Sequence, residues 1–123
     1  MADILVVDDQ AGIRLLLKEI LERQGHTVHL AADGREALGA IRAQQRSFDL
    51  ILLDMKLPGQ SGLEVLRALR NEGLKVPVII MTAYGDVEQI HEARRLGVET
   101  YLAKPFDIAE LSHEVARHLS PAV

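Results

Sequence analysis

Leu50-Ile51-Leu52-Leu53-Asp54 is the stretch whose reading decides the fold. Four aliphatic residues in a row leave neither face of an extended segment for water. A short apolar run of this kind, closed by an acid, reads as a buried parallel strand that delivers a carboxylate to the C-terminal edge of a sheet. The earlier run Ile4-Leu5-Val6-Val7 has the same form and ends in Asp8 and Asp9. If the two strands are neighbours, three carboxylates share one small crevice. Two unit charges about 4 Å apart repel by roughly 4 kcal/mol at an effective dielectric of roughly 20. Such a cluster needs a proton or a cation to offset it. Carboxylates with no Cys or His beside them select a hard, oxygen-preferring cation.

Outward from these two runs, strand-like and helix-like segments alternate five times. Strands are predicted at Asp3 to Asp8, Thr27 to Ala31, Leu50 to Asp54, Val78 to Thr82 and Thr100 to Ala103. Helices are predicted near Ala11 to Gln24, Arg35 to Gln44, Leu63 to Asn71, Val87 to Leu96 and Ile108 to Leu119. Asp33 with Glu36, Ser61 with Glu64, and Asp107 with Glu110 fit capping boxes at helix starts. Gly25, Gly73 and Gly97 stand where a helix end needs a left-handed residue. Strict alternation implies an α/β fold, a five-stranded parallel sheet with helices on both faces. Thr27-Val28-His29-Leu30-Ala31 is the most polar strand and belongs at an edge, which gives the order 2-1-3-4-5. The switch point between strands one and three, where open α/β sheets bind ligands, then carries Asp8, Asp9 and Asp54.

Composition narrows the function classes. The 123 residues suit one domain, spanning 1–123, and after the last helix only Ser120-Pro121-Ala122-Val123 remain, so no output domain is expected. With 48% hydrophobic and 26% charged residues, the chain is not a disordered one. No apolar run approaches the roughly 18 residues of a membrane span. The absence of cysteine excludes disulfides, thiolate metal sites and Cys nucleophiles, and permits a cytoplasmic location. A net charge of -4 argues against direct nucleic-acid binding.

The fourth and fifth strands end in Met81-Thr82-Ala83 and Ala103-Lys104-Pro105, so Thr82 and Lys104 reach the same sheet edge. Acids, a hydroxyl and an ammonium around one crevice suit phosphoryl transfer to a carboxylate. A metal there bridges phosphoryl and carboxylate oxygens, and a lysine offsets the remaining charge. A Mg²⁺-dependent aspartyl-phosphate phosphatase of the haloacid-dehalogenase kind needs a second acid two positions after the nucleophile, where this chain has Lys56. A flavin-binding carrier of the same sheet order needs a Ser/Thr/Gly-rich loop after strand one, where this chain has Asp8-Asp9-Gln10.

Val7-Asp8-Asp9-Gln10, Asp54-Met55-Lys56-Leu57-Pro58-Gly59, Met81-Thr82-Ala83 and Lys104-Pro105-Phe106 together resemble the receiver domain of two-component response regulators over essentially the whole chain. Within that family the longer segments Val7 to Arg14, Leu52 to Lys56, Ile79 to Gly85 and Ala103 to Ile108 look most like the single-domain intermediate of the sporulation phosphorelay. The resemblance implies the following roles. Asp54 is the phosphoacceptor, fed by a phosphohistidine on a histidine kinase or histidine phosphotransferase. Asp8, Asp9, Asp54 and the Lys56 backbone carbonyl hold Mg²⁺, with Asp8 acting largely through water. Thr82 and Lys104 bind the phosphoryl oxygens. Tyr101 is the aromatic whose rotamer follows Thr82, in place of the His expected in the sporulation relative. The Lys104-Pro105 bond is cis. Lys56 and Tyr84 tune how fast water reaches the acyl phosphate. Gln10, Gly12, Ile13, Leu16 and Tyr84, with Pro105 and Phe106, form a partner-docking surface, although Ile13 and Leu16 on the stripe Ile13, Leu16, Leu17, Ile20, Leu21 fit a core role equally well. The module is expected to be a monomer at rest that relays phosphate, in some systems to a downstream response regulator, or switches partner binding. It would be a signalling protein and no conventional enzyme, standing alone or as a fragment of a longer transcriptional regulator or hybrid kinase.

Overall fold

A computed structural model describes residues 2–43, 48–82, 87–98 and 100–119. Ala83, Tyr84 and Gln44, on which expectations above fall, lie outside the described residues. Five strands and five helices alternate: β1 Asp3–Val7, α1 Ala11–Arg23, β2 Thr27–Ala31, α2 Gly34–Ala43, β3 Leu50–Asp54, α3 Gly62–Asn71, β4 Val78–Thr82, α4 Val87–Arg95, β5 Thr100–Ala103 and α5 Ile108–Leu119. All strand pairs are parallel, in the order β2-β1-β3-β4-β5. The predicted topology is thus the observed one. Asp8, Gln24 and Leu96 fall just outside the elements assigned to them, and α2 and α3 each begin one residue earlier, at Gly34 and Gly62.

The unbroken aliphatic runs follow from a sheet covered on both faces. Alternate residues of each central strand go to opposite layers because the pleat has a period of two. Leu5, Val7, Ile51, Leu53 and Ile80 pack with Leu38 of α2, Leu66 of α3 and Ala93 of α4. Ile4, Val6, Leu50, Leu52, Ile79 and Met81 pack with Leu17 and Leu21 of α1 and Leu111 and Val115 of α5. Each fully buried aliphatic side chain contributes about 2 kcal/mol of transfer free energy. The edge strands are less buried, and β5 alternates: Thr100 and Leu102 are buried while Tyr101 and Ala103 face outward.

Helix ends behave as their residues dictate. The Glu36, Glu64 and Glu110 amides donate to Asp33 Oδ1 at 2.8 Å, Ser61 Oγ at 3.2 Å and Asp107 Oδ1 at 2.6 Å, the forward half of each capping box. Gly25, Gly73 and Gly97 take φ of 94, 80 and 89°, which only glycine adopts without strain.

One fastening left no trace in the sequence pattern. Arg70 in α3 donates from Nε to the Leu96 carbonyl at 2.7 Å, and from Nη1 to the carbonyls of Leu74 and Val76 at 2.9 and 3.0 Å. It ties the ends of α3 and α4 to the segment entering β4. Its loss strands three carbonyls, so Arg70→Ala is expected to lower stability by about 2–3 kcal/mol. The urea midpoint checks this, and an unchanged midpoint would refute it.

Candidate functional site

The strand ends assemble the crevice through register and pleat. Val7 pairs with Leu53, Asp54 with Met81 and Thr82 with Ala103, so Asp8, Asp54, Thr82 and Lys104 all lie at the C-terminal edge. Asp8 continues the face of Val6, Asp54 that of Leu52, and Lys104 that of Leu102, all three on the α1/α5 side. That common parity brings one ammonium to two carboxylates. Lys104 Nζ donates to Asp8 Oδ2 at 2.9 Å and to Asp54 Oδ2 at 3.0 Å. The other oxygens are also engaged: Asp8 Oδ1 accepts the Gln10 amide at 2.9 Å, and Asp54 Oδ1 the Lys56 amide at 3.1 Å. Asp8 is 0% and Asp54 5% exposed, while Asp9 is open to solvent. One oxygen from each of Asp8, Asp9 and Asp54 lies within 4.8 Å of the others. Asp9, Gln10, Asp54, Lys56 and Lys104 line a crevice of about 260 Å³.

Electrostatically the crevice holds more negative charge than one lysine offsets. Burial pushes the Asp54 carboxyl above the ordinary carboxylate value, and the Asp8 charge adds to the rise. Hydrogen bonds from Lys104 and Lys56 pull the other way without winning. Lys104 shifts upward too: burial disfavours its charge, but the hydrogen bonds and charges of Asp8 and Asp54 outweigh that cost. The rise at Lys104 says that Asp8 and Asp54 favour a positive charge between them, whereas the rise at Asp54 is chiefly the cost of burying a charge. Three hard oxygen donors with unfilled lone pairs fit a divalent ion such as Mg²⁺, which prefers carboxylates and water.

The Asp54 shift has a stability consequence. Between the unfolded carboxylate value and the raised native one, the folded chain binds the proton more tightly than the unfolded chain. Stability from this group is therefore lost as pH rises through that window, the reverse of a salt-bridged acid with a depressed value. The thermal midpoint of the parent chain relative to Asp54→Asn is expected to fall between acid and neutral pH without added metal. A difference that stays flat with pH would overturn this.

The other predicted residues divide. Thr82 is buried at the end of β4, and its carbonyl accepts the Lys104 amide at 2.8 Å. The Lys104-Pro105 bond is cis. Lys56 is exposed at the crevice. Tyr101 is 43% exposed, with the Arg94 guanidinium 5.7 Å from its ring centre. Of the α1 stripe, Leu17 and Leu21 are buried and Ile13 packs partly into the core, but Leu16 is 49% exposed. The core reading therefore fails for Leu16, whose side chain lies at the solvent margin of the stripe. Leu15 is exposed as well. Met55 and Met81 are core.

Sequence reasoning missed Gly62. Its amide donates to the Met55 carbonyl at 3.0 Å. A Cβ at this position would overlap the Asp54 carbonyl oxygen and stand 2.8 Å from Met55 Cα. The loop after β3 thus folds back onto the backbone that carries Asp54.

The family model for the response regulator receiver domain matches residues 4–116. The chain belongs to that family. It is a receiver module of two-component signal transduction, and no helix among its described residues is long and apolar enough to cross a membrane. The receiver is 45% identical over 116 residues to the sporulation initiation phosphotransferase F of Bacillus subtilis, covering 94% of this chain and 92% of that protein. It is 39% identical to the regulatory protein AtoC of Escherichia coli, covering 94% of this chain but 25% of that longer protein. A solved receiver domain from Clostridium thermocellum superposes with a TM-score of 0.89 at 33% identity, covering 97% of this chain and 94% of that one.

Proposed function

We propose that this receiver takes a phosphoryl group from a phosphohistidine onto Asp54 and hands it on, or presents an altered surface to a partner. The observation that carries the reading is the Asp54 carboxylate. It is nearly buried, ends the central strand, bonds Lys104 and lies within reach of two further acids. In the transfer, an Asp54 carboxylate oxygen attacks phosphorus. The P–N bond breaks, and the imidazole nitrogen keeps the electron pair and takes a proton from solvent. Lys104 releases part of its hold on Asp54 to meet the incoming phosphoryl oxygens, its charge offsetting theirs. Thr82, at the neighbouring strand end, supplies a hydroxyl to the phosphorylated state.

Asp8, Asp9, Asp54 and the Lys56 carbonyl would hold Mg²⁺. When bound, the ion neutralises charge between the carboxylate and phosphoryl oxygens. Gln10, which lines the crevice, Gly12, Leu16 and Pro105 are exposed, and Ile13 and Phe106 are half-buried. They present a mixed apolar surface on which a histidine kinase or phosphotransferase docks. The likeness to the sporulation initiation phosphotransferase supports the relay reading.

The test is direct. The chain is incubated with acetyl phosphate and Mg²⁺, the acyl phosphate is trapped with hydride, and the modified residue is located by mass spectrometry. Label on Asp54 that disappears with a chelator is expected. Label on any other residue, or label indifferent to the chelator, contradicts the assignment.

A further inference from the structure

Arg14 stands in the first turn of α1, and its Nη1 donates to the backbone carbonyl of Asp8 at 2.6 Å. That short, charge-assisted bond reaches back from the helix to the end of β1. The same turn is pinned twice more. The Gln10 amide bonds Asp8 Oδ1 at 2.9 Å, and the Arg14 amide bonds the Gln10 carbonyl at 3.0 Å. Asp9 lies between these anchors. Its carboxylate is exposed, and among the described residues no side chain holds it. The Cα–Cβ direction of Asp9 is therefore set by the backbone of the turn, and Arg14 holds the carbonyl just before it.

We infer that Arg14 is a positioning residue for the divalent-cation site, acting through the Asp8 carbonyl to keep Asp9 aimed at the crevice. This rests on the reading of Asp8, Asp9 and Asp54 as the cation ligands. Two effects of the guanidinium oppose each other. Its charge repels an incoming dication, and its hydrogen bond orders the ligand. The repulsion acts partly through solvent and is screened by salt. Ordering is not screened, and outer partners of metal ligands typically govern affinity by about 10–100-fold. Ordering is the larger effect, so removing the side chain weakens the site.

The experiment is calorimetric titration of Mg²⁺ into the parent chain, Arg14→Ala, Arg14→Lys and Arg14→Gln, at low and high salt, with thermal midpoints recorded alongside. Arg14→Ala is expected to bind Mg²⁺ about tenfold more weakly, the deficit persisting at high salt, with the midpoint lowered by a few degrees for the one carbonyl left without its donor. Arg14→Lys, which keeps a cationic donor, regains most of the affinity. Mg²⁺ bound as tightly or more tightly by Arg14→Ala overturns the inference and leaves the cation site standing. A parent chain that binds no Mg²⁺ overturns the cation reading and this inference with it. If the alanine variant does not fold, Arg14→Gln carries the same comparison: weaker binding at an unchanged midpoint supports the role, and unaltered binding refutes it.

Discussion

Asp54→Asn is expected to take up no phosphoryl label under conditions that label the parent chain fully. The amide that replaces the carboxylate has nearly the same shape but lacks a nucleophilic anionic oxygen. Its single oxygen can accept from only one of Lys104 and the Lys56 amide, which bond the two Asp54 oxygens at 3.0 and 3.1 Å, and its NH2 faces the other donor, so one bond is lost while the β3 backbone is untouched. The loss is thus chemical and not a loss of fold. The raised proton affinity of the native carboxyl provides an internal control, because a site that disfavours a buried charge gains when the charge is removed. The variant should be at least as heat-stable as the parent at neutral pH while failing to label. Intact-mass measurement after acetyl phosphate treatment reads the first property and calorimetry the second. Persistent label, for example on Asp8 or Asp9, would transfer the acceptor role to another acid of the cluster.

Gly62→Ala is expected to damage stability and phosphoryl uptake together. The added methyl meets the backbone of Asp54 and Met55, which cannot rotate aside as a flexible side chain can. Overpacking of this kind costs about 1–3 kcal/mol. Relief comes only by moving the loop away from β3, and that shifts Asp54 itself. A displacement of about 1 Å at a reacting group lowers rates by roughly a hundredfold. Gly39 makes the contrast: it is an exposed helical glycine where an added methyl would meet nothing within 4 Å, so Gly39→Ala should stabilise by about 0.5–1 kcal/mol. Urea midpoints and initial labelling rates of the two variants check both statements. Equal behaviour of Gly62→Ala and the parent would show that the close approach does not constrain the site.

Much of the fold was legible because its signals are local. Leu50 to Leu53 and Ile4 to Val7 lack alternation because helices cover both faces, and Asp33, Ser61 and Asp107 mark helix starts through their own side-chain oxygens. The crevice was legible for a related reason: in a parallel sheet all strands point the same way, so residues ending separate strands meet at one edge. The boundaries at Gly34 and Gly62 were harder, since a glycine at a helix start carries no propensity for being there. Leu16 and Leu17 show where periodicity runs out. They are adjacent and equally apolar, yet one is exposed and one buried, because the seat of α1 on the sheet turns between them.

By themselves, the residues of this chain determined the order of its strands and the three acids, hydroxyl and amine at the sheet edge, since runs of one polarity and their termini are properties of neighbouring positions. Only the tertiary structure decided that Lys104 bridges Asp8 and Asp54, that Arg14 holds the Asp8 carbonyl, that Arg70 fastens three carbonyls and that Gly62 lies against the Asp54 backbone. Those contacts depend on strand register, on helix seating and on the reach of long side chains to backbone atoms. A backbone carbonyl is common to every residue, so no choice of amino acid announces which one will be bonded.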